Sequence, residues 1–262
     1  MKSIKGYLRR KKLEKRFNQS PIIIECKVED VIVKFSTHTW VEYDNRARIS
    51  YLGEPDMVEF IKTRVLMNDV FWDVGANVGA YSLFAAKKYL NQIKVVAIEP
   101  YIPTFSHLWE NILINDVQNE IIPINIGLSD KKGLEMLGVS DIQAGSSEHM
   151  IGKENTTLSQ PIITIGGNDL VNIFNVPAPN LLKIDVDGFE LQVLKGMGKI
   201  LESPLLRAAI IEVEKNKTEK PVIKEMERAG FEKISDRRSM TDLKAFNVIF
   251  SRQAQNTKTA GT

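Results

Sequence analysis

At 262 residues, with 43% apolar residues and a formal charge of +2, the chain can bury one sizeable core and is too weakly charged to announce a nucleic-acid binder. No apolar run approaches the roughly 20 residues a membrane helix needs. Cys26 is the only cysteine, which excludes disulfide frameworks, cysteine-rich zinc sites and two-cysteine redox motifs. The basic N-terminus carries no apolar leader region, so a cytoplasmic protein is the default expectation.

Lys2, Lys5, Arg9, Arg10, Lys11, Lys12, Lys15 and Arg16 crowd residues 1–18, with Glu14 the only acid among them. This segment reads either as a solvated helix or as a peripheral contact with anionic membrane or acidic glycan, where basic clusters gain about 1 kcal/mol per charge. Residues 19–54 form an extension: a small hairpin over Pro21–Thr37, then a helical stretch with Trp40, Tyr43 and Ala47 on one side, closing near Gly53. The main domain is expected over 55–252, opening with a helix Asp56–Thr63 that has Pro55 at its start.

From Val70 the pattern alternates. Strand Val70–Val74, helix Asn77–Tyr89, strand Val95–Ile98, helix Thr104–Ile114 and strand Ile121–Ile126 come first. Strand Leu181–Val186, helix Phe189–Leu201, strand Ala208–Val213 and helix Pro221–Ala229 follow. Short Val- and Ile-rich strands alternating with helices imply a mainly parallel α/β sheet with helices on both faces. Phe231–Ser235 and Ala245–Phe250 have only a loop between them, so they pair antiparallel and end the sheet in a hairpin. A seven-stranded methyltransferase sheet has such an ending. Between Lys131 and Gln160 the rhythm fails and Gly, Ser, Asn and Lys dominate, which reads as a long functional or disordered connection. Residues 253–262 read as a flexible tail.

The stretch Val70-Phe-Trp-Asp-Val-Gly-Ala-Asn-Val-Gly79 is a strand, a tight turn and a helix start, the arrangement that holds nucleotide-like ligands at the carboxyl edge of a parallel sheet. A dinucleotide site needs G-x-G-x-x-G for its pyrophosphate; here Gly75-Ala76-Asn77-Val78-Gly79 puts Asn77 at the middle glycine. S-adenosylmethionine has no pyrophosphate, and Asp73 and Asn77 are placed to orient its amino-acid tail. Glu99, followed by Pro100, ends the second strand where an acid can accept hydrogen bonds from ribose hydroxyls. Asn77 also reads as a helix cap. Asn125 and Gly127 after the third strand either border the adenine or are turn residues.

With those residues in place the chain resembles the FkbM family of S-adenosylmethionine-dependent methyltransferases over about Gly53–Arg252. The resemblance rests on Phe71–Gly79, Ala97-Ile-Glu-Pro100, Gly127-Leu-Ser-Asp130, Leu182-Lys-Ile-Asp-Val-Asp-Gly-Phe-Glu-Leu191 with Val193-Leu-Lys-Gly196, and Ile210-Ile-Glu-Val213. Two positions depart from the family pattern: Asp187 stands where the family usually has Glu, and Thr164-Ile-Gly-Gly-Asn-Asp-Leu170 replaces a Thr-Leu-Asp-Asp-Leu run. The resemblance implies a Rossmann-like class I fold. It also implies O-methylation of hydroxyls on sugars, glycolipids, polysaccharides or macrolide-type natural products.

Methyl transfer to an alcohol calls for in-line alignment and a base. Asp185, Asp187 and Glu190 cluster where the fourth strand meets its helix, and Glu212 ends the fifth strand beside them. Asp185 is the lead candidate for base or acceptor-orienting group, with Glu212 or Asp187 in support and His149, in the polar connection, as another candidate base. Asp187 and Glu190 also suit a helix N-terminus. A divalent metal on Asp185, Asp187 and Glu212 is a further reading. His107 reads as an exposed helical residue, His38 as a turn or cap, and Ser146 and Ser147 as loop groups able to touch a polar acceptor. The alternatives are an RNA or protein methyltransferase on the same fold, a non-catalytic cofactor-binding module, and a dehydrogenase, which Asn77 and the terminal hairpin disfavour. The partner expected is a hydroxyl-bearing small molecule or glycan, not nucleic acid.

Overall fold

The structure is a computed structural model, and it describes residues 4–17, 20–139, 143–146, 150–151, 158–238 and 244–252. Helix α1 (Ile4–Phe17) leads into the hairpin β1 (Ile22–Val28) and β2 (Val31–Thr37). A π-helix (Glu42–Ile49) then runs into the single turn α2 (Ser50–Gly53) and α3 (Pro55–Arg64). The first half of the main sheet is built by β3 (Val70–Val74), α4 (Ala80–Lys88), β4 (Lys94–Ile98), α5 (Ile102–Ile114) and β5 (Ile121–Ile124). An interlude follows: β6 (Gly127–Leu128), β7 (Gly133–Val139), β8 (Met150–Ile151), β9 (Leu158–Ile165) and α6 (Gly167–Phe174). The second half comprises β10 (Leu181–Ile184), α7 (Glu190–Met197), α8 (Lys199–Glu202), β11 (Ala208–Glu214), α9 (Glu219–Arg228), β12 (Phe231–Arg238) and β13 (Ala245–Arg252).

The main sheet has seven strands in the order β12-β13-β11-β10-β3-β4-β5. Pairings from β11 through β5 are parallel, and β13 runs antiparallel to both β11 and β12. Chain order reverses between β3 and β10, so the crevice outside their carboxyl ends is the switch point where α/β sheets bind ligands. Each strand feeds two cores because side chains alternate. Phe71, Val95 and Ile210 pack on the face covered by α3, α4, α5 and the hairpin, while Trp72, Val96 and Ile211 pack on the face covered by α6 to α9.

The hairpin shares that first core through Val33 and Phe35, both fully buried. The outer edge of β2 is sealed by side chains of α5: Asn111 accepts the Ser36 amide at 2.8 Å, and Asn115 accepts the Lys34 amide at 2.9 Å and returns a bond to the Lys34 carbonyl at 2.7 Å. An edge strand protected this way has no free row of amides to offer another chain. Helix α1 meets the rest of the chain through aromatics, with Phe17 edge-on to Tyr43 at 6.3 Å and Arg10 5.5 Å above the Trp40 ring.

Two expectations need correction. The polar connection holds a second, four-stranded sheet ordered β6-β9-β7-β8. Glycines in β7 and Pro161 in β9 interrupt the apolar alternation that reveals strands, and Leu134 and Ile163 sit exposed on one face. The helix expected over Phe189–Leu201 is divided at Gly198, where φ of +53° ends α7 and starts α8. Among the described residues no helix is long and apolar enough to cross a membrane.

Candidate active site

The turn after β3 is tied to the end of β4. The amides of Gly75 and Ala76 both donate to the Ile98 carbonyl at 3.0 Å. Gly75 adopts φ of +74°, and a Cβ there would stand 1.9 Å from the Asp185 carbonyl oxygen, so only glycine lets the ends of β3 and β10 meet. Asn77 is left-handed as well, with φ of +52°. Helix α4 begins only after Gly79, without a side-chain cap, so Asn77 does not cap it. Its Oδ1 instead accepts the Val78 amide, and its Nδ2 donates to the Ser146 carbonyl at 3.2 Å.

Glu99 is 7% exposed and braces this turn: Oε2 accepts the Asn77 amide at 3.0 Å and Oε1 the Tyr101 amide at 2.9 Å. Burial pushes its carboxyl up to about 7 against those two hydrogen bonds. Each oxygen retains acceptor capacity. A buried carboxylate with two spare acceptor directions, beside a glycine turn, suits a ribose diol, so the residues present fit an adenosyl group. Asn125 Nδ2 donates to the carbonyls of Glu99 at 2.8 Å and Pro100 at 3.0 Å, holding the end of β4 in place. Gly127 opens β6 and pairs with Thr164, one step beyond the main sheet.

Asp73 is completely buried. Its Oδ2 accepts the Ser82 hydroxyl at 2.6 Å, and its Oδ1 lies 3.0 Å from Lys183 Nζ, an ion pair whose angle falls short of a good hydrogen bond. Lys183 also donates to the Gly75 carbonyl at 2.7 Å and sits 3.4 Å from Asp185. Burial pulls on its ammonium, but Asp73 and Asp185 outweigh that and hold it charged well above the usual lysine range. The sequence carried a signal for Lys183, a charge inside the apolar run Leu181–Ile184 that must be paired if the strand is central.

Around Asp185 the structure gathers carboxylates from separate parts of the chain. Glu212 hydrogen-bonds Asp185; the Asp185 charge first, then burial and Glu54, push Glu212 up to about 9. Glu54, from the extension, accepts the Tyr81 hydroxyl of α4 at 2.6 Å. Burial first and Asp185 second raise its carboxyl against that bond. Asp187 follows β10 with φ of +48° and adds its charge to the field on Glu212. Glu190 accepts the Gly188 amide at 2.7 Å at the start of α7; burial first raises its carboxyl, and the Asp185 charge adds to that. Glu54 and Tyr81 were not legible as site residues, because tertiary packing brings them here.

Among the described residues no group of three or more His, Cys, Asp or Glu side chains has an arrangement that could hold a metal ion. His149 and Ser147 lie outside the described residues. His38 and His107 differ from their expected roles. They stack at 4.0 Å, His38 on Glu110 at 2.6 Å and His107 on the buried Glu42, knitting α5 to the extension.

The parallel sheet with a reversed seventh strand is the Rossmann-like fold of methyltransferases, whose cofactor is S-adenosylmethionine, and the site lies at its switch point. A solved Clostridium thermocellum structure described as a candidate rRNA methylase has the same fold: TM-score 0.50, 10% identity, covering 77% of this chain and 96% of that one. The Methyltransferase FkbM domain profile matches residues 73–233. Hexuronic acid methyltransferase AglP of Haloferax volcanii is 34% identical over 211 residues, covering 80% of this chain and 82% of that protein. Methyltransferase sdnD of Sordaria araneosa is 26% identical over 200 residues, covering 65% of this chain and 76% of that protein. The chain belongs to the FkbM methyltransferase family.

Proposed function

We propose that the protein methylates an oxygen of a sugar or glycan, most specifically a hydroxyl of a hexuronic-acid-containing acceptor, with Asp185 as the base. The likeness to a hexuronic acid methyltransferase over most of both chains supports the sugar class. The observation that carries the chemistry is the place of Asp185 at the carboxyl edge, its backbone carbonyl against Gly75 and its partly exposed carboxylate 3.4 Å from Lys183 Nζ.

S-adenosylmethionine supplies a methyl group on a positively charged sulfur. The chain's residues supply the rest. Glu99 and the Gly75–Gly79 turn would hold the adenosyl end, with Asp73 and Lys183 fixing the turn from beneath. Asp185, with 28% of its side chain exposed, is reachable by an acceptor and takes the proton that the hydroxyl releases. Glu212 keeps its own proton at neutral pH and donates to Asp185, which orients the base. The charges of Asp185 and Asp187 at this edge favour binding of a cationic sulfonium rather than the transfer step itself.

Replacing Asp185 with Asn tests the assignment. Turnover on a uronic-acid glycoside should fall about 10²-fold or more, the scale of general-base contributions, while S-adenosylhomocysteine affinity stays within a few-fold. A mutant with wild-type turnover removes Asp185 from the proton transfer.

A further inference from the structure

One cation on this edge has no part in the chemistry above. Arg46 projects from the π-helix of the extension, and its Nε donates to the Gly145 carbonyl at 2.7 Å. The Gln143–Ser146 turn it grips is itself fastened to the cofactor site. The Gly145 amide donates to Thr104 Oγ1 at 3.1 Å, Thr39 donates to the Ala144 carbonyl at 3.1 Å, and Asn77 Nδ2 reaches the Ser146 carbonyl. A guanidinium has five N–H donors. Among the described residues only the Nε donor of Arg46 is engaged in a hydrogen bond.

The charge of Arg46 bears on both Glu99 and Glu54. Through the Ser146 carbonyl the turn Arg46 grips is bonded to Asn77, whose own amide donates to Glu99. The other cation nearby, Lys183, is 2% exposed and already bound to Asp73, Asp185 and the Gly75 carbonyl. A ligand carboxylate entering this acidic edge needs a partially exposed cation with free, planar donors, which Arg46 offers and Lys183 does not.

We infer that Arg46 binds a ligand carboxylate through the Nη edge of its guanidinium, either that of the cofactor's amino-acid tail or that of a sugar acid in the acceptor. The inference rests on the methyltransferase reading and assigns a specificity residue within it. The N-terminal extension thereby contributes directly to the site.

The test compares wild type with Arg46→Gln on two arms. Calorimetry uses S-adenosylhomocysteine and 5′-methylthioadenosine, which lacks the amino-acid tail. Kinetics use a glucuronide and the matching neutral glucoside. At least a tenfold loss of S-adenosylhomocysteine affinity, with 5′-methylthioadenosine unchanged, assigns the cofactor's carboxylate. At least a tenfold rise in KM for the glucuronide, with the glucoside unchanged, assigns the acceptor's. Retained 5′-methylthioadenosine binding shows that the variant's site is folded. No change on either arm overturns the inference, and so does an equal loss of both nucleosides, which would make Arg46 a strap for the Gly145 turn. Wild type binding neither nucleoside would overturn the methyltransferase reading itself, a result distinguishable from any effect of the variant.

Discussion

Replacing Glu212 with Gln should flatten the pH dependence of stability in a way that no remote substitution would. Glu212 titrates at about 9 in the folded chain and near 4.5 when unfolded. Between those values the native state holds a proton that the unfolded state has released. Stability is therefore fully present below the unfolded pKa and declines as pH rises toward 9. Each pH unit in that window is worth about 1.4 kcal/mol per proton. From pH 5.5 to 8 the wild type should lose up to about 3 kcal/mol at this site, an upper figure because the side chain is only partly buried. Glutamine keeps the shape and the donor toward Asp185 but cannot ionise, so the difference between the two proteins should shift toward the variant as pH rises. Urea unfolding at pH 5.5, 6.5, 7.5 and 8 with both proteins measures this. Parallel curves would refute the claim that the Asp185 charge and burial keep Glu212 protonated at neutral pH.

Lys183→Met leaves Asp73 and Asp185 without their buried counter-charge and should cost about 3–5 kcal/mol in urea unfolding. A loss under 1 kcal/mol would mean that the network is not what holds the turn. Glu99→Ala removes the acceptor for the Asn77 and Tyr101 amides. It should cost about 1–3 kcal/mol of stability and, at a temperature where the variant is folded, weaken S-adenosylhomocysteine binding at least tenfold. Unchanged affinity by calorimetry would take Glu99 out of the ribose role.

The main sheet could be read from the sequence because its strands are buried on both faces and separated by amphipathic helices. Paired positions such as Phe71 and Trp72 feed opposite cores, so the strand is apolar throughout and stands out. The terminal hairpin was equally plain, since no crossover helix separates β12 from β13. The second sheet was not, because its strands carry Gly133, Gly138 and Pro161 and expose Leu134 and Ile163. Within the site, the legible residues end strands: Asp73 close to the end of β3, Glu99 just past β4, Asp185 just past β10, Glu212 near the end of β11. Glu54, Tyr81 and Arg46 reach it through the packing of the extension on α4 and on the Gly145 turn, and spacing along the chain carries no trace of that. His38 and His107 were hidden for the same reason, each being one half of a contact between distant segments.

The most direct test of the cofactor site is calorimetric titration of the purified chain with S-adenosylmethionine and S-adenosylhomocysteine, with NADH as control. A Gly75–Gly79 turn that lacks the middle glycine, facing a buried Glu99, should bind both sulfur nucleosides and leave NADH unbound. Binding of NADH, or of none of the three, would contradict the account.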